Sequence, residues 1–401
     1  MRRAHYPLMD SMRAISVVSV VATHTTFFTS LRGTHTTQVR FGYISVTIFF
    51  VVSAFLLWGP WVDARLNGGR PPGTGVYAWR RVLRIVPGYY LALTIIGICL
   101  GLTYVFTPQG IVTLYGFAQV YRPEWALRGI VQAWTLDVEV AFYVFLPIFG
   151  WLMARRLARS RSGQVRRELV FCAALFLISF VYKLIVVGTG AINGGYGVTF
   201  QLNLLTFLDD FAIGMALATI AATYGHEREQ PRALRALDRY PSIAWAAMGV
   251  TLAFGIPYLG LLGQVGDQTG SVQYVVRHYL IELIAVGLVL PAMFGDPSRG
   301  IVRRLLRNRV LLYLGMISYG IYLWHFAVLL QLDRWGFRSA VGDTTVLWFL
   351  AAISISVLLA TLSFYFVERP FLRLKRLVKP RPDPASDDRI AQPAPVTPAG
   401  R

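Results

Sequence analysis

The sequence predicts an all-α fold: a polytopic transmembrane bundle of about ten helices. Three observations predict it. The chain of 401 residues is 55% hydrophobic and 15% charged, with a mean hydropathy of +0.52, whereas a soluble domain carries about 25% charge. Apolar stretches near the length needed to cross ~30 Å of hydrocarbon recur from end to end. Lys and Arg gather in short runs between those stretches, the pattern by which a membrane protein sets its topology.

Taken in order, the stretches are residues 14–30, 39–58, 85–107, 127–152, 169–187, 201–224, 242–263, 277–294, 310–332 and 346–367. The fourth is the least regular, because it opens on Leu127-Arg128 and carries Asp137 and Glu139. If each crosses once, 31 of the 39 Lys and Arg fall in segments on one side and seven on the other, with Lys183 inside a span. That split places both termini in the cytoplasm. The first stretch is expected to stay as a helix and not to be removed as a leader. Residues 1–371 then form the transmembrane domain. Residues 372–401 form a basic, Pro-rich cytoplasmic tail whose composition predicts disorder.

The net charge of +19 is accounted for by these loop runs, which sets nucleic acid aside as a partner and leaves the lipid bilayer. The two cysteines, Cys99 and Cys172, both fall in apolar stretches. Neither a disulfide framework nor a metal site is read from them.

Ionisable groups within hydrocarbon are costly and therefore mark candidate sites. His24 follows Arg13 by eleven residues. That is close to three helical turns, so the two share a face about 16 Å apart along the axis. A histidine near mid-membrane suits a general base or a transient acyl carrier. A packing histidine bonded to a neighbouring helix fits the position equally well. Arg81 and Arg84, in Arg80-Arg81-Val82-Leu83-Arg84, put two guanidinium forks on one helical face. That geometry suits phosphate, and it also suits a plain topogenic cluster.

Glu139 and Tyr143, in the segment opening Trp134-Thr135-Leu136-Asp137-Val138-Glu139, are four apart and face the same way. They can hold a substrate or simply fix helix packing. Tyr322 and His325, in Ser318-Tyr319-Gly320-Ile321-Tyr322-Leu323-Trp324-His325, are three apart and form a candidate polar spine. Glu368-Arg369-Pro370-Phe371 reads as a helix stop at the headgroups.

Together these segments resemble membrane acyltransferase family three, the multi-pass O-acyltransferases acting on sugars, glycolipids or macrolides. MDSMRAISVVSVVATH resembles the family's opening Asp-x-x-Arg-Ala followed by a helix ending in histidine. IFFVVSAFLL, RRVLRIVPGYY, WTLDVEVAFYVFLP, ISYGIYLWH and FYFVERPF resemble five further motifs in the family's order. The chain departs from the pattern at Thr47, where many members carry an acid, and at Ser45 and Ala54, where they carry glycine.

The resemblance implies an enzyme that moves an acyl group, acetyl or another short one, from acyl-CoA to a hydroxyl of an envelope carbohydrate or glycolipid. It implies His24 as the essential histidine, with Arg13 and Glu139 beside it as catalytic residues. It implies Arg81 and Arg84 as contacts of acyl-CoA, which serves as co-substrate, with no tightly bound cofactor. Asp10, Trp134, Asp137, Tyr143, Tyr322 and His325 would line the substrate pocket. With Thr47 in the acid's place, Asp137 or Glu139 is left as the acid partner of His24. The rival reading is a transporter or exporter of a polar metabolite. It lacks the paired halves and matching broken helices common in transporters.

Overall fold

The structure, a computed structural model, describes residues 6–29, 37–155, 157–225, 230–252 and 271–378. The end of the seventh apolar stretch and the tail from residue 379 lie outside the described residues. Among the described residues there are helices and turns and no strand. Helices satisfy their own backbone hydrogen bonds, which is what hydrocarbon demands of a spanning segment.

The main helices are α1 (Leu8–Thr25), α2 (Thr37–Asn67), α3 (Thr74–Cys99), α4 (Trp134–Ala154), α5 (Arg161–Gly188), α6 (Leu208–Tyr224), α7 (Pro241–Val250), α8 (Ser271–Met293), α9 (Arg309–Met316), α10 (Ser318–Arg334) and α11 (Thr345–Ser363). Six described segments are long and apolar enough to cross a bilayer: Gly42–Asn67, Thr74–Cys99, Val131–Ala154, Arg161–Gly188, Gln273–Met293 and Thr345–Arg376. The pair α9–α10, bent by 73°, makes a seventh if counted as one span. Helices α1 and α6, which are shorter or more polar, and the described part of α7 coincide with the other three apolar stretches.

The buried faces explain the packing. Helix α5 buries Glu168, Cys172, Leu175, Ser179, Lys183 and Val186, a stripe at spacings of three and four. Its outer face exposes Val170, Leu177, Ile178, Val181, Leu184 and Ile185. Polar inside and apolar outside is the reverse of a water-soluble helix, and it fits a lipid-facing one. At one end of the bundle the buried stripe meets α2, where Arg65 donates to both oxygens of Glu168 at 2.6 and 2.9 Å.

Helix α2 sits at the centre and packs along α6, α1 and α8. Val51, Phe55 and Trp58 are buried there. Helix α1 is flanked by α2 on one side and by α9 and α10 on the other. It comes so close to α9 that a Cβ on Gly315 would lie 1.9 Å from the carbonyl oxygen of Asp10. On the other flank of α10, a Cβ on Gly88 of α3 would lie 3.0 Å from the Tyr319 ring. These two approaches draw α1, α3 and α10 around a common space.

Two of the differences between the element boundaries and the sequence expectation bear on the site. Helix α1 begins at Leu8, six residues before the first apolar stretch, so His24 lies in its last turn and not at its middle. The polar opening is helical because it packs: Ser11 donates to the Leu306 carbonyl, and Asp10 pairs with Arg13 at 3.7 Å. The fourth span begins as a helix only near residue 131. Residues 103–121 before it form short turns and one π turn. Asp137 holds this region to α4 by accepting from the Val120 amide at 3.2 Å.

Candidate active site

Helices α1, α2, α3, α4 and α10 enclose a cavity of about 250 Å³. Asp10 and Arg13 enter it from α1, Arg81 and Arg84 from α3, Glu139 and Tyr143 from α4, and Tyr322 from α10. The helical spacings read from sequence therefore hold: Arg81 and Arg84 share the cavity wall, as do Glu139 and Tyr143. Trp134 and Asp137 do not line it. Trp134 stacks toward Phe207 at 5.5 Å between ring centres, and Asp137 faces the Val120 turn.

The cavity carries three guanidinium groups against the carboxylates of Asp10 and Glu139. Glu139 is fixed on its Oε1, which accepts from Tyr143 Oη at 2.5 Å and from the hydroxyl of Ser53. Ser53 is not among the site residues read from the sequence, although it stands in IFFVVSAFLL, one of the segments that carry the family resemblance. The Arg81 guanidinium lies over the Tyr143 ring at 5.8 Å. None of the ion pairs among the described residues includes Arg81 or Arg84. Arginine forks that line a cavity without a carboxylate partner present an anion-binding wall.

His24 stands beyond the cavity wall. Its acid partner is neither Asp137 nor Glu139. Its Nδ1 lies 2.7 Å from Nε2 of His325, and the two rings stack with centres 5.0 Å apart. His325 is fully buried, and its Nδ1 lies 3.1 Å from the Ile321 carbonyl oxygen. A carbonyl only accepts, so that nitrogen carries the proton. In the neutral pair His325 then offers its Nε2 lone pair to the Nδ1–H of His24. Nε2 of His24 is left as the basic nitrogen. The chain Ile321–His325–His24 thus sets the tautomer as a carboxylate would, without placing a second charge beside the ring.

Tyr322 links this pair to the cavity. Its ring lies 5.8 Å from that of His325 and 6.0 Å from that of Phe49, a cavity-lining residue. Its hydroxyl donates to the Gln132 carbonyl at 2.7 Å and lies 2.6 Å from that of Thr135. Gln132 in turn donates to the Tyr322 and Leu323 carbonyls at 2.7 and 3.1 Å. Tyr322 and His325 therefore do not form a spine with each other; each is bonded to a different helix. An arginine-lined chamber stands on one side of Tyr322 and a polarised imidazole on the other.

A family profile described as an acyltransferase domain matches residues 6–366. The chain belongs to that family. Among curated proteins, an acyltransferase relative of Staphylococcus aureus strain COL, provisionally named an O-acetyltransferase, is 24% identical over 92% of this chain and 57% of its own length. A protein of Bacillus subtilis strain 168, provisionally named the peptidoglycan O-acetyltransferase YrhL, is 25% identical over 91% of this chain and 55% of its own. The O-acetyltransferase OatA of Staphylococcus aureus strain NCTC 8325 is 20% identical, over 91% and 57%. The chain therefore spans little more than half the length of the curated relatives it matches. No solved structure matches it at a significant level.

Proposed function

We propose that this acyltransferase-family chain is an integral membrane O-acyltransferase. It takes an acyl group from acyl-CoA and delivers it to a hydroxyl of an envelope carbohydrate or glycolipid. The observation that carries the proposal is the juxtaposition of a chamber walled by Arg13, Arg81 and Arg84 with the His24 imidazole, whose Nδ1 is engaged by His325 Nε2 at 2.7 Å.

In this reading the chain crosses the membrane of the cell ten times, with both termini cytoplasmic. The support is the 31-to-seven split of Lys and Arg and the helix found at each apolar stretch. Arg81 and Arg84 then open to the cytosol and take the donor's phosphates. The acyl thioester passes Tyr322 toward His24, at the opposite end of α1 from Arg13. Nε2 of His24 accepts the acceptor's hydroxyl proton as the oxygen attacks the thioester carbonyl carbon. The new C–O bond forms, the C–S bond breaks, and the leaving thiolate takes the proton back from His24. The relative named a peptidoglycan O-acetyltransferase supports an acetyl group and a cell-wall sugar as the pair to test first.

Mass spectrometry of envelope glycans and lipids from deletion and complemented cells tests this reading. The expected result is one species lighter by an acyl group in the deletion strain, restored by the wild-type gene and not by His24→Gln. Unchanged acylation across all strains would overturn it.

A further inference from the structure

A second ionic centre lies outside the cavity, where α5, α6 and α8 meet. Asp209 and Asp210 open α6, His278 and Glu282 sit one turn apart on α8, and Lys183 reaches in from α5. One ligand atom from each of Asp209, Asp210, His278 and Glu282 lies within 4.8 Å of all the others. Lys183 donates to Asp209 and, at 2.9 Å, to Ser179, while His278 Nε2 lies 3.1 Å from the same Asp209 oxygen.

Asp210 is fully buried, and neither of its carboxylate oxygens makes a well-formed hydrogen bond; the neighbouring hydroxyl is that of Thr47. Glu282 is 3% exposed with its Oε1 likewise unpartnered. Three buried carboxylates thus face one ammonium, a surplus of two negative charges. Arg277 lines the small cavity beside His278, and counting it still leaves a surplus of one. Uncompensated carboxylate charge in a membrane interior costs several kcal/mol.

We infer that Asp209, Asp210, His278 and Glu282 form a binding site for a divalent metal cation of the manganese class. The donor set is mainly hard carboxylate oxygen with one imidazole, the chemistry that suits Mn²⁺. The spread of the ligand atoms agrees. The four ligand atoms lie within 4.8 Å of one another, and opposite ligands of a six-coordinate ion bound at roughly 2.0–2.6 Å stand about 4–5 Å apart. Tetrahedral zinc, at about 2.1 Å, would need all of them within about 3.4 Å. The adjoining cavity of about 40 Å³, lined by Thr47 and His278, has room for a water on the ion. Bound there, the ion would tie α6 to α8 and complete the charge balance that Lys183 begins.

The test uses the purified full chain in detergent, stripped with a chelator and titrated with Mn²⁺. Free Mn²⁺ is read by electron paramagnetic resonance, and thermal melting is followed on the same samples. The expected result is about one Mn²⁺ per chain, a higher Tm on loading, and affinity at least ~10-fold weaker in Asp210→Asn and in Glu282→Gln. A wild-type chain that binds no Mn²⁺ above background and melts at the same temperature with and without it would overturn the proposal. The surplus carboxylate charge would then be balanced by protons. The wild-type chain alone can give that result, so poor folding of either variant does not shield the proposal.

Discussion

The molecule holds two ionic centres of opposite character. The chamber between α1, α3, α4 and α10 has a surplus of guanidinium groups and about 250 Å³ of space. The centre between α5, α6 and α8 has a surplus of carboxylates and is almost closed. The first keeps Arg81 and Arg84 out of any ion pair among the described residues, as a site for a large exchanging anion would. The second has its charges within contact of one another, as a site that holds several helices together would. Charge burial alone does not separate substrate handling from structure in a membrane protein. The sign of the surplus and the room around it do.

The sharpest way to break this contrast is at His24, which the mechanism ties to the chamber. His24→Gln keeps hydrogen-bonding capacity but cannot act as a base near neutral pH. Transfer is expected to fall ~10²- to 10⁴-fold, with acyl-CoA affinity and Tm unchanged on the same purified samples. Substantial transfer by a well-folded Gln variant would remove His24 from the chemistry.

Replacing Arg81 and Arg84 together by Ala should weaken acyl-CoA binding ~10²-fold or more, since each charge-assisted contact contributes roughly 1.5–3 kcal/mol. Acceptor affinity should hold, and high salt should reproduce part of the effect in wild type. Unchanged donor affinity would reduce the pair to a topogenic cluster. A smaller change is expected at His325, which acts through His24. His325→Ala should slow transfer about 3- to 10-fold, the worth of one hydrogen bond. His325→Gln, whose amide oxygen can accept from His24 Nδ1, should recover part of that rate. Equal rates in the two variants would deny the tautomer chain.

What the sequence makes legible follows the range of the interaction. Arg81 with Arg84, and Glu139 with Tyr143, are pairs three and four residues apart, and the helical period brings them to one wall. The charge split between loops is equally readable. His24 and His325 are 301 residues apart, and nothing local says that they stack. Asp137 reads toward the site because it stands two residues from Glu139 in an apolar stretch. Its contact with the Val120 amide depends on the folding of turns that carry no periodic signal. The onset of α1 reads late because Asp10 and Arg13 depress local hydropathy, yet packing against α9 keeps both helical. Asp209, Asp210, His278 and Glu282 are each conspicuous, but only the meeting of α5, α6 and α8 makes them one group.

The claim that joins these parts is that the donor enters by the arginine-lined face and reacts at His24. Its most direct test is sided transfer by the protein reconstituted in one orientation in sealed vesicles, with labelled acetyl-CoA on one face and solubilised peptidoglycan fragments as the acceptor probe. The mechanism predicts label on the fragments only when acetyl-CoA is supplied to the face bearing Arg81 and Arg84, and none with His24→Gln. Equal labelling from either face, or labelling that survives His24→Gln, would contradict it.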